Sequence, residues 1–214
     1  IGNEALYSIT DGSYNIAIGT EALFRIKTGS NNIAVGYQTL SDNSTGNYNT
    51  AIGSGAGESC LTNTNCTFIG SGAIDPSLAN NTIILGNSSI DFLKCKVSLT
   101  VTSDERDKKE IETLSYGLNY INEINPVHFL WNMRDGGKID IPEIGFIAQN
   151  LKSAQTKLNI NIPKLVDDYN PEQLGVCSAH LIPILVKSIQ ELSNQLNETN
   201  RKLEELTSKV NSIL

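Results

Sequence analysis

The sequence predicts a β-repeat shaft, either a trimeric β-helix or a β-roll, followed by an α+β domain that ends in a long coiled-coil helix. Three observations predict this fold class: a 17-residue repeat in the first half, an abrupt change of composition after it, and unbroken heptads at the C-terminus. The predicted domains are residues 1–97 for the repeats, 98–102 for a junction strand, 103–177 for the α+β part and 178–214 for the helix.

The composition is that of a soluble, foldable chain, with 39% apolar and 18% charged residues among 214. The formal net charge of −7 argues against nucleic acid as the main partner, because phosphate binding relies on clustered Lys and Arg. No stretch approaches the roughly 18 consecutive apolar residues that span a membrane. Nucleic acid and membrane are therefore not expected as partners.

No metal or cofactor is expected either. The four cysteines lack the paired spacing and the histidine partners of a zinc site; they are Cys60, Cys66, Cys95 and Cys177. The acidic residues do not have the spacing of a calcium loop. We expect reduced thiols, although the spacing leaves open a small-loop disulfide between Cys60 and Cys66.

The repeat has a strict period over four units. The segment from Asn15 to Gly19 recurs at 32–36, 49–53 and 66–70, each time 17 residues further on, and 81–86 resembles a last unit one residue out of phase. An apolar run of about four residues bounded by Gly and Asn predicts one short strand per coil. Stacked coils would cover one another's apolar faces, with Gly and Asn at the positive-φ corners.

The small inward face of each coil predicts a core that several chains share. About two or three inward side chains per coil would bury little surface in a single chain. An independent monomeric β-solenoid is the alternative. The pattern resembles the Gly-Asn-x-Ala-Ile-Gly repeats of trimeric adhesin heads and viral fibre shafts, which implies a homotrimer, although the adhesin repeat is usually shorter.

Residues after Gly86 do not repeat. Alternation from Phe92 to Thr102 predicts one or two strands that lead to the junction. Apolar residues at helical spacing predict a helix over 107–124, which Pro126 ends. A strand at 127–131, a turn at 135–137 and a strand or strand-to-helix turn at 144–149 are expected to follow.

The last helix has the pattern of a coiled coil. Ten positions alternate in steps of three and four, and nine of them are apolar. An amphipathic helix packed on its own domain rarely keeps a strict 3.5-residue period for so long, so the pattern favours association between chains. The positions are Ile182, Leu185, Ile189, Leu192, Leu196, Thr199, Leu203, Leu206, Val210 and Ile213.

Four ordered motifs lie between the repeats and this helix. They are Ser103-Asp104-x-Arg106-x-Lys108 followed by Ile111, then Asn125-Pro126-Val127-x-Phe129-x-Trp131, then Ile144-Gly145-Phe146-Ile147-Ala148-Gln149, and finally Leu181-Ile182-Pro183. Over residues from about 98 to 200 the chain resembles the self-cleaving intramolecular chaperone domain of phage tail fibres, tail spikes and endosialidases. The same domain occurs in membrane-bound myelin regulatory factors.

The resemblance implies a domain that helps to fold a trimeric β-structured fibre and then cuts itself off with a serine and lysine dyad. By position the dyad is Ser103 and Lys108, and the bond cut joins Thr102 to Ser103. Asp104, Arg106 and Gln149 are expected to support the site. The implied partners are two further copies of the chain, the chain's own shaft as folding client and substrate, and a host-surface receptor for the full fibre. The implied location is the virion, with the chaperone part released after assembly in the host cell.

The chemistry of the dyad sets two requirements. A lysine is a general base only when neutral, and an ordinary lysine has a pKa of about 10.4, so burial or a neighbouring cation such as Arg106 or Lys109 must lower it. Residues five apart in a helix point about 140° apart. Ser103 is therefore expected before the helix, near its N-cap, with Lys108 reaching back from the first turns.

Two other functions remain open. In a non-enzymatic trimeric adhesin or stalk with a coiled-coil end, Ser103 and Lys108 would be incidental, because a Ser-Asp-Glu helix start is common. A membrane-anchored regulator could use the same cleavage to release a factor, but the repeats and the lack of a basic DNA-binding region argue against it. His128 and His180 lack placed catalytic partners and are expected to be structural.

Overall fold

The computed structural model describes residues 1–74 and 79–212, and these divide into two compact units. The described residues of the first unit are 1–74 and 79–96 together with 130–142 and 169–173. Those of the second are 97–129, 143–168 and 174–212. The domain boundaries given above remain predictions.

Five short parallel strands form one sheet in the first unit. They are β1 (Ile16–Ile18), β2 (Ile33–Val35), β3 (Thr50–Ile52), β4 (Thr67–Ile69) and β5 (Ile83–Leu85), paired in chain order. Each residue pairs with its equivalent in the next coil, 17 residues later, until Thr67 pairs with Ile83. The predicted β-solenoid and its final phase shift are both confirmed.

The coils enclose their core within one chain. Strand residues alternate, so that Ala17, Ala34, Ala51 and Phe68 point inward and are buried while their outward neighbours are half exposed or less. Residues outside the strands also point inward; they include Ala22, Leu23, Ile26 and Leu40. The expectation that several chains share this core is therefore corrected, because a count of strand residues alone missed these inward loop side chains.

Asparagine side chains fasten each coil to the next. The Asn32 Nδ2 donates to Asn15 Oδ1 at 3.1 Å and to the Gly46 carbonyl at 2.9 Å. The Asn32 Oδ1 in turn accepts from the Asn49 backbone N at 3.0 Å. Asn32 and Asn49 are fully buried, and a buried amide without partners would be costly, so this ladder explains the recurring Asn. It ends at Cys66, whose backbone N donates to Asn49 Oδ1.

A pair of compensating size changes, at residues 57 and 68, keeps the core of the coils filled. Phe68 stands where the earlier coils have Ala, and the space for its ring comes from Gly57, which stands where the earlier coils have Leu23 and Leu40. A Cβ at Gly57 would lie 2.7 Å from Leu40 Cδ2 and 3.0 Å from Phe68 Cδ2. The two substitutions compensate, as a close-packed core requires.

The remaining elements are short except for the last. They are α1 (Leu118–Ile121), β6 (Val127–Asn132), β7 (Ile139–Gly145), α2 (Ala148–Leu158), β8 (Val166–Asp167), β9 (Gly175–Val176) and α3 (Leu181–Asn211). The strand predicted at 127–131, the turn at 135–137 and the strand-to-helix turn at 144–149 are confirmed. The long terminal helix is confirmed as well, although its seam position Ile213 lies outside the described residues. No helix of the described ranges is long and apolar enough to cross a membrane.

Two predicted elements are wrong. Residues 107–124 do not form one helix: a 3-10 turn covers Glu105–Asp107, Glu110 has a left-handed φ of 55°, and only α1 is helical. Residues 91–102 form no strand, and their apolar side chains, such as Val97 and Leu99, are about four-fifths exposed. A strand needs a hydrogen-bonding partner, and the single chain does not supply one to this segment.

The second unit packs around Tyr120. Its core contains Tyr120, Leu151, Ala154, Ile162, Leu165, Leu181 and Ile184. The Tyr120 hydroxyl donates to the Leu151 carbonyl, and burial, with Tyr116 nearby, raises the pKa of Tyr120 to about 12. The Leu118 N–H at the start of α1 donates to a Glu191 carboxylate oxygen at 2.8 Å, so α3 caps α1. The first turns of α3 therefore belong to this core.

Candidate active site at the junction

A single 3-10 turn shapes the junction. Asp104 caps it, since Asp104 Oδ1 accepts from the Arg106 backbone N at 2.9 Å. The Arg106 guanidinium grips the same carboxylate, from Nε at 3.0 Å and from Nη2 at 2.6 Å. The Lys108 N–H then donates to the Glu105 carbonyl at 3.0 Å, and the backbone of Lys108 becomes extended. The chain thus turns back on itself over residues 104–108.

This turn brings Ser103 and Lys108 together. The Lys108 Nζ lies 2.6 Å from Ser103 Oγ and 3.0 Å from the Ser103 carbonyl oxygen. Ser103 directly precedes the capping residue, close to where the sequence places it. Lys108 reaches back from just beyond the turn, however, and not from the first turns of a helix. A nucleophile within hydrogen-bond reach of a base is the arrangement that nucleophilic catalysis requires.

The charges beside the dyad are paired with each other. The side-chain and then the backbone hydrogen bond from Arg106 lower the pKa of Asp104, and Asp104 in turn raises the pKa of Arg106. The Asp104 carboxylate neutralises the charge of Arg106. Arg106 is therefore better placed to stabilise the turn than to favour the neutral form of Lys108 by charge repulsion. Ser103 and Lys108 are both exposed in the single chain.

Gln149 is the predicted site residue that the structure does not join to the others. It is the second residue of α2 and is exposed. Among the hydrogen bonds of the described residues, none links its side chain to Ser103 or Lys108. Thr102, which would supply the bond to be cut, is exposed and non-helical. All four cysteines are free, and within the described ranges no group of three His, Cys, Asp or Glu could hold a metal ion.

Sequence reasoning missed a contact made by the tip of the β6–β7 hairpin. This tip belongs to the same compact unit as the repeats. Asp135 forms a hydrogen bond with Ser88, and the Gly137 N–H and then Ser88 lower the pKa of Asp135. The Lys138 Nζ lies 3.6 Å from Asp91 Oδ1. A Cβ at Gly137 would collide with Ser88. The only signal in the sequence is the Asp-Gly-Gly turn, which predicts the bend but not its neighbour.

The first turns of α3 carry two apolar faces. One face is buried in the second unit and contains Leu181 and Ile184, with the polar Ser188 buried beside them. The other is the beginning of the heptad seam, where Ile182 and Ile189 are 61% and 65% exposed. Because the first face already serves the chain's own core, the seam is left without a partner in the single chain.

Comparison with known proteins bears on the same segment. Residues 103–166, which are 64 of the 214, match the family described as chaperone of endosialidase, also named peptidase S74. The matched segment contains Ser103, Lys108 and the whole β6–β7 hairpin, and it supports a chaperone domain. The family name further suggests a self-cleaving serine peptidase. No curated protein and no solved structure matches the chain significantly.

Proposed function

We propose that this chain is the C-terminal part of a homotrimeric viral tail fibre or spike, in which residues 103–214 promote folding of the repeat shaft and then release themselves. Release is a single autoproteolytic cut between Thr102 and Ser103. The observation that carries this proposal is the 2.6 Å contact between Lys108 Nζ and Ser103 Oγ, within a segment that matches a chaperone and peptidase family. The mature fibre stays on the virion, where a host-surface receptor is its further partner.

Three unpartnered apolar surfaces support the homotrimer. The first is the α3 seam. The second is the outward face of the repeat sheet, where Ile18, Ile52, Ile69 and Leu85 form a ladder and each is 43–50% exposed. The third is the junction segment, with Val97, Leu99 and Val101 at alternate positions. Monomeric proteins rarely leave contiguous apolar surface of this kind in water, and copies of the chain would cover all three.

The reaction follows from the atoms that the turn brings together. Neutral Lys108 accepts the Ser103 hydroxyl proton while Oγ attacks the Thr102 carbonyl carbon. The bond from Thr102 C to Ser103 N breaks, and the nitrogen takes the proton from Lys108 and becomes a free α-amine. Water then adds to the ester between Thr102 and Ser103 Oγ, which gives a Thr102 carboxylate and restores the hydroxyl. The products are residues 1–102 and 103–214.

Assembly would bury the dyad, which is exposed in the single chain. Ser103 and Lys108 already lie within hydrogen-bond distance, and burial favours the neutral form that a lysine needs to act as a base. Ser103 directly follows the unpaired segment 91–102, so copies that pair this segment would also cover Ser103 and Lys108. The cut therefore follows trimerisation, and residues 103–214 are released only after the shaft has folded.

The hairpin tip supports the chaperone role. Ser88 and Asp91 follow β5, and the tip that grips them lies inside the family match. The repeats can slip by 17 residues and keep most of their contacts, so they need an external reference for register. The contact of the hairpin tip with Ser88 and Asp91, which follow the last coil and do not repeat, provides that reference. After cleavage, the shaft persists because its unfolding barrier is high.

A denaturing gel of freshly expressed protein tests the cut. Wild type should give two bands of roughly half the chain each, and the larger product should begin at Ser103. Ser103→Ala and Lys108→Ala should each leave one full-length band while the trimer is retained. One full-length band from folded, trimeric wild type would contradict the proposed cut and would favour the other function, a non-enzymatic adhesin or stalk.

A further inference from the structure

The backbone of the repeats carries a regular set of left-handed corners. Two or three residues in each coil have φ between about 50° and 66°. They fall on three ladders along the stack. The first ladder is Glu4, Glu21, Gln38, Gly55 and Gly72; the second is Leu6, Leu23, Leu40 and Gly57; the third is Tyr14, Asn31, Tyr48, Asn65 and Asn81. The expectation that Gly and Asn occupy the corners therefore holds only for part of the shaft.

The corner residues change along the stack. In the coils of β1 to β3, the first two ladders have only side-chain-bearing residues, Glu, Gln or Leu, and the third has Tyr twice. From residue 55 to the end of the repeats at residue 86, every described left-handed corner is Gly or Asn. Left-handed φ is unfavourable for ordinary L-residues and costs Gly nothing, while Asn tolerates it better than most. Backbone strain is thus concentrated in the N-terminal coils.

We infer that the shaft folds from its C-terminal end toward its N-terminus, seeded by the coils of β4 and β5. A strained coil is unfavourable by itself and forms only when a finished neighbour offers a row of hydrogen bonds and an apolar face. The coils with relaxed corners form first at the least cost. This extends the proposed chaperone role, because the hairpin tip grips Ser88 and Asp91, directly after the seed.

A matched pair of substitutions tests the direction of folding. Gly55→Gln gives the seed the residue that Gln38 supplies one coil earlier, and an added Cβ meets only Glu58 Oε2, at 3.4 Å, so the change adds strain without a collision. Tyr14→Asn removes strain from the distal coil, where the side chain is 85% exposed and loses little. Tyr37→Asn, at an exposed residue without positive φ, is the control. Every chain carries Ser103→Ala, so that cleavage plays no part.

Refolding and unfolding rates of the full chain are measured by circular dichroism after denaturant jumps. Gly55→Gln should slow refolding roughly fivefold and change unfolding less than twofold, because strain in a folding nucleus acts on the folding rate. Tyr14→Asn should leave refolding within about twofold and slow unfolding several-fold. Tyr37→Asn should change neither rate by more than about twofold. Faster refolding of Tyr14→Asn with unchanged Gly55→Gln would place the seed at the other end and overturn the inference.

Pulsed hydrogen exchange during refolding gives an independent reading even if a variant fails to fold. The amides of Thr67 and Gly86, which donate across the last coils, should be protected before those of Ile16 and Ile33. Simultaneous protection, or protection of Ile16 first, would contradict the inference. Asp135→Ala separates it from the chaperone role: if the hairpin has no such role, this variant refolds at the normal rate while the order of protection is unchanged.

Discussion

The repeat coils and the terminal helix differ in where they place their apolar side chains: the coils enclose a buried apolar core, and the helix leaves most of them exposed. The coils bury Ala and Leu side chains, and in the fourth strand Phe68, inside their own chain, and an Asn ladder joins neighbouring coils. The helix α3 buries one short face in its own domain and exposes a seam that runs on from Ile182 to Val210. The coils therefore cover their apolar core within a single chain, whereas the apolar seam of the helix stays exposed to solvent in the single chain.

This difference bears on the proposed function. A stack that encloses its own core needs no further chain to cover its interior. The exposed seam of α3, in contrast, is an apolar surface that copies of the chain would cover if they associate as proposed. In the sequence, the junction with the dyad lies between the coils and the helix, and its apolar side chains Val97, Leu99 and Val101 are exposed as well.

The largest expected effect comes from a charge in the seam. Ile189→Asp should weaken trimer formation more than about 100-fold, because each copy would bury an unpaired carboxylate. Size-exclusion chromatography with light scattering measures the assembly state. Asn194→Asp adds the same charge on the exposed side of the same helix and should leave the trimer intact. A trimer that survives Ile189→Asp would show that the seam is not the interface.

The next effect comes from the closed core of the coils. Phe68→Ala should lower the free energy of unfolding by about 3–5 kcal/mol, since the cavity beside Gly57 has no side chain to fill it. Leu61→Ala, at a side chain that is 51% exposed, should change it by less than about 0.5 kcal/mol. Denaturant unfolding of the Ser103→Ala chain measures both. Equal effects would mean that the coils do not hold their core as described.

A smaller effect comes from the cap between α3 and α1. Glu191→Ala removes the acceptor of the Leu118 N–H and should lower the free energy of unfolding of the second unit by about 1 kcal/mol. Glu198→Ala, further along the helix and exposed, is the matched control and should be close to neutral. Thermal unfolding compares the two. A larger loss for Glu198→Ala would contradict the capping role of Glu191.

The smallest effect concerns the turn that holds the dyad. The folded pKa of Asp104 is lowered, so its ionised form stabilises the turn fully above its unfolded value of about 3.9, and that contribution disappears as pH falls through the folded pKa. Asp104 should therefore stay ionised between pH 5 and 8, and the rate of cleavage should not change in this range through titration of Asp104. Asp104→Asn, which keeps a cap but loses the ion pair, should slow the cut only several-fold, with the same pH profile as wild type. A profile shifted within this range would assign Asp104 a role in proton transfer.

Regular patterns made the fold predictable in part. The 17-residue period predicted the strands and even their final shift, because identical residues at equal spacing can satisfy each other only by stacking. The heptads predicted α3 for the same reason. The helix predicted over 107–124 failed because its apolar spacing is real but the backbone turns at Glu110 and restarts at Gly117. The alternation of residues 92–102 predicted strands that need other chains.

The contact between Ser103 and Lys108 was predictable from the sequence, but the turn that produces it was not. The motif around Ser103 gave the pair, and the helix geometry required Ser103 to come before a turn. That Arg106 would close on Asp104, and not act on Lys108, depends on side-chain geometry that spacing does not encode. The contact of Asp135 with Ser88 joins residues 47 positions apart, and no local pattern could reveal it.

The concentration dependence of self-cleavage tests the central claim most directly. Wild-type chain is refolded from denaturant over a wide range of protein concentrations, and the rate at which the Thr102–Ser103 bond is cut is followed by intact mass. If assembly completes the dyad, the cutting rate should rise steeply with concentration and level off once trimers form faster than they cut. A rate independent of concentration, with cut monomers at the lowest concentrations, would contradict the account.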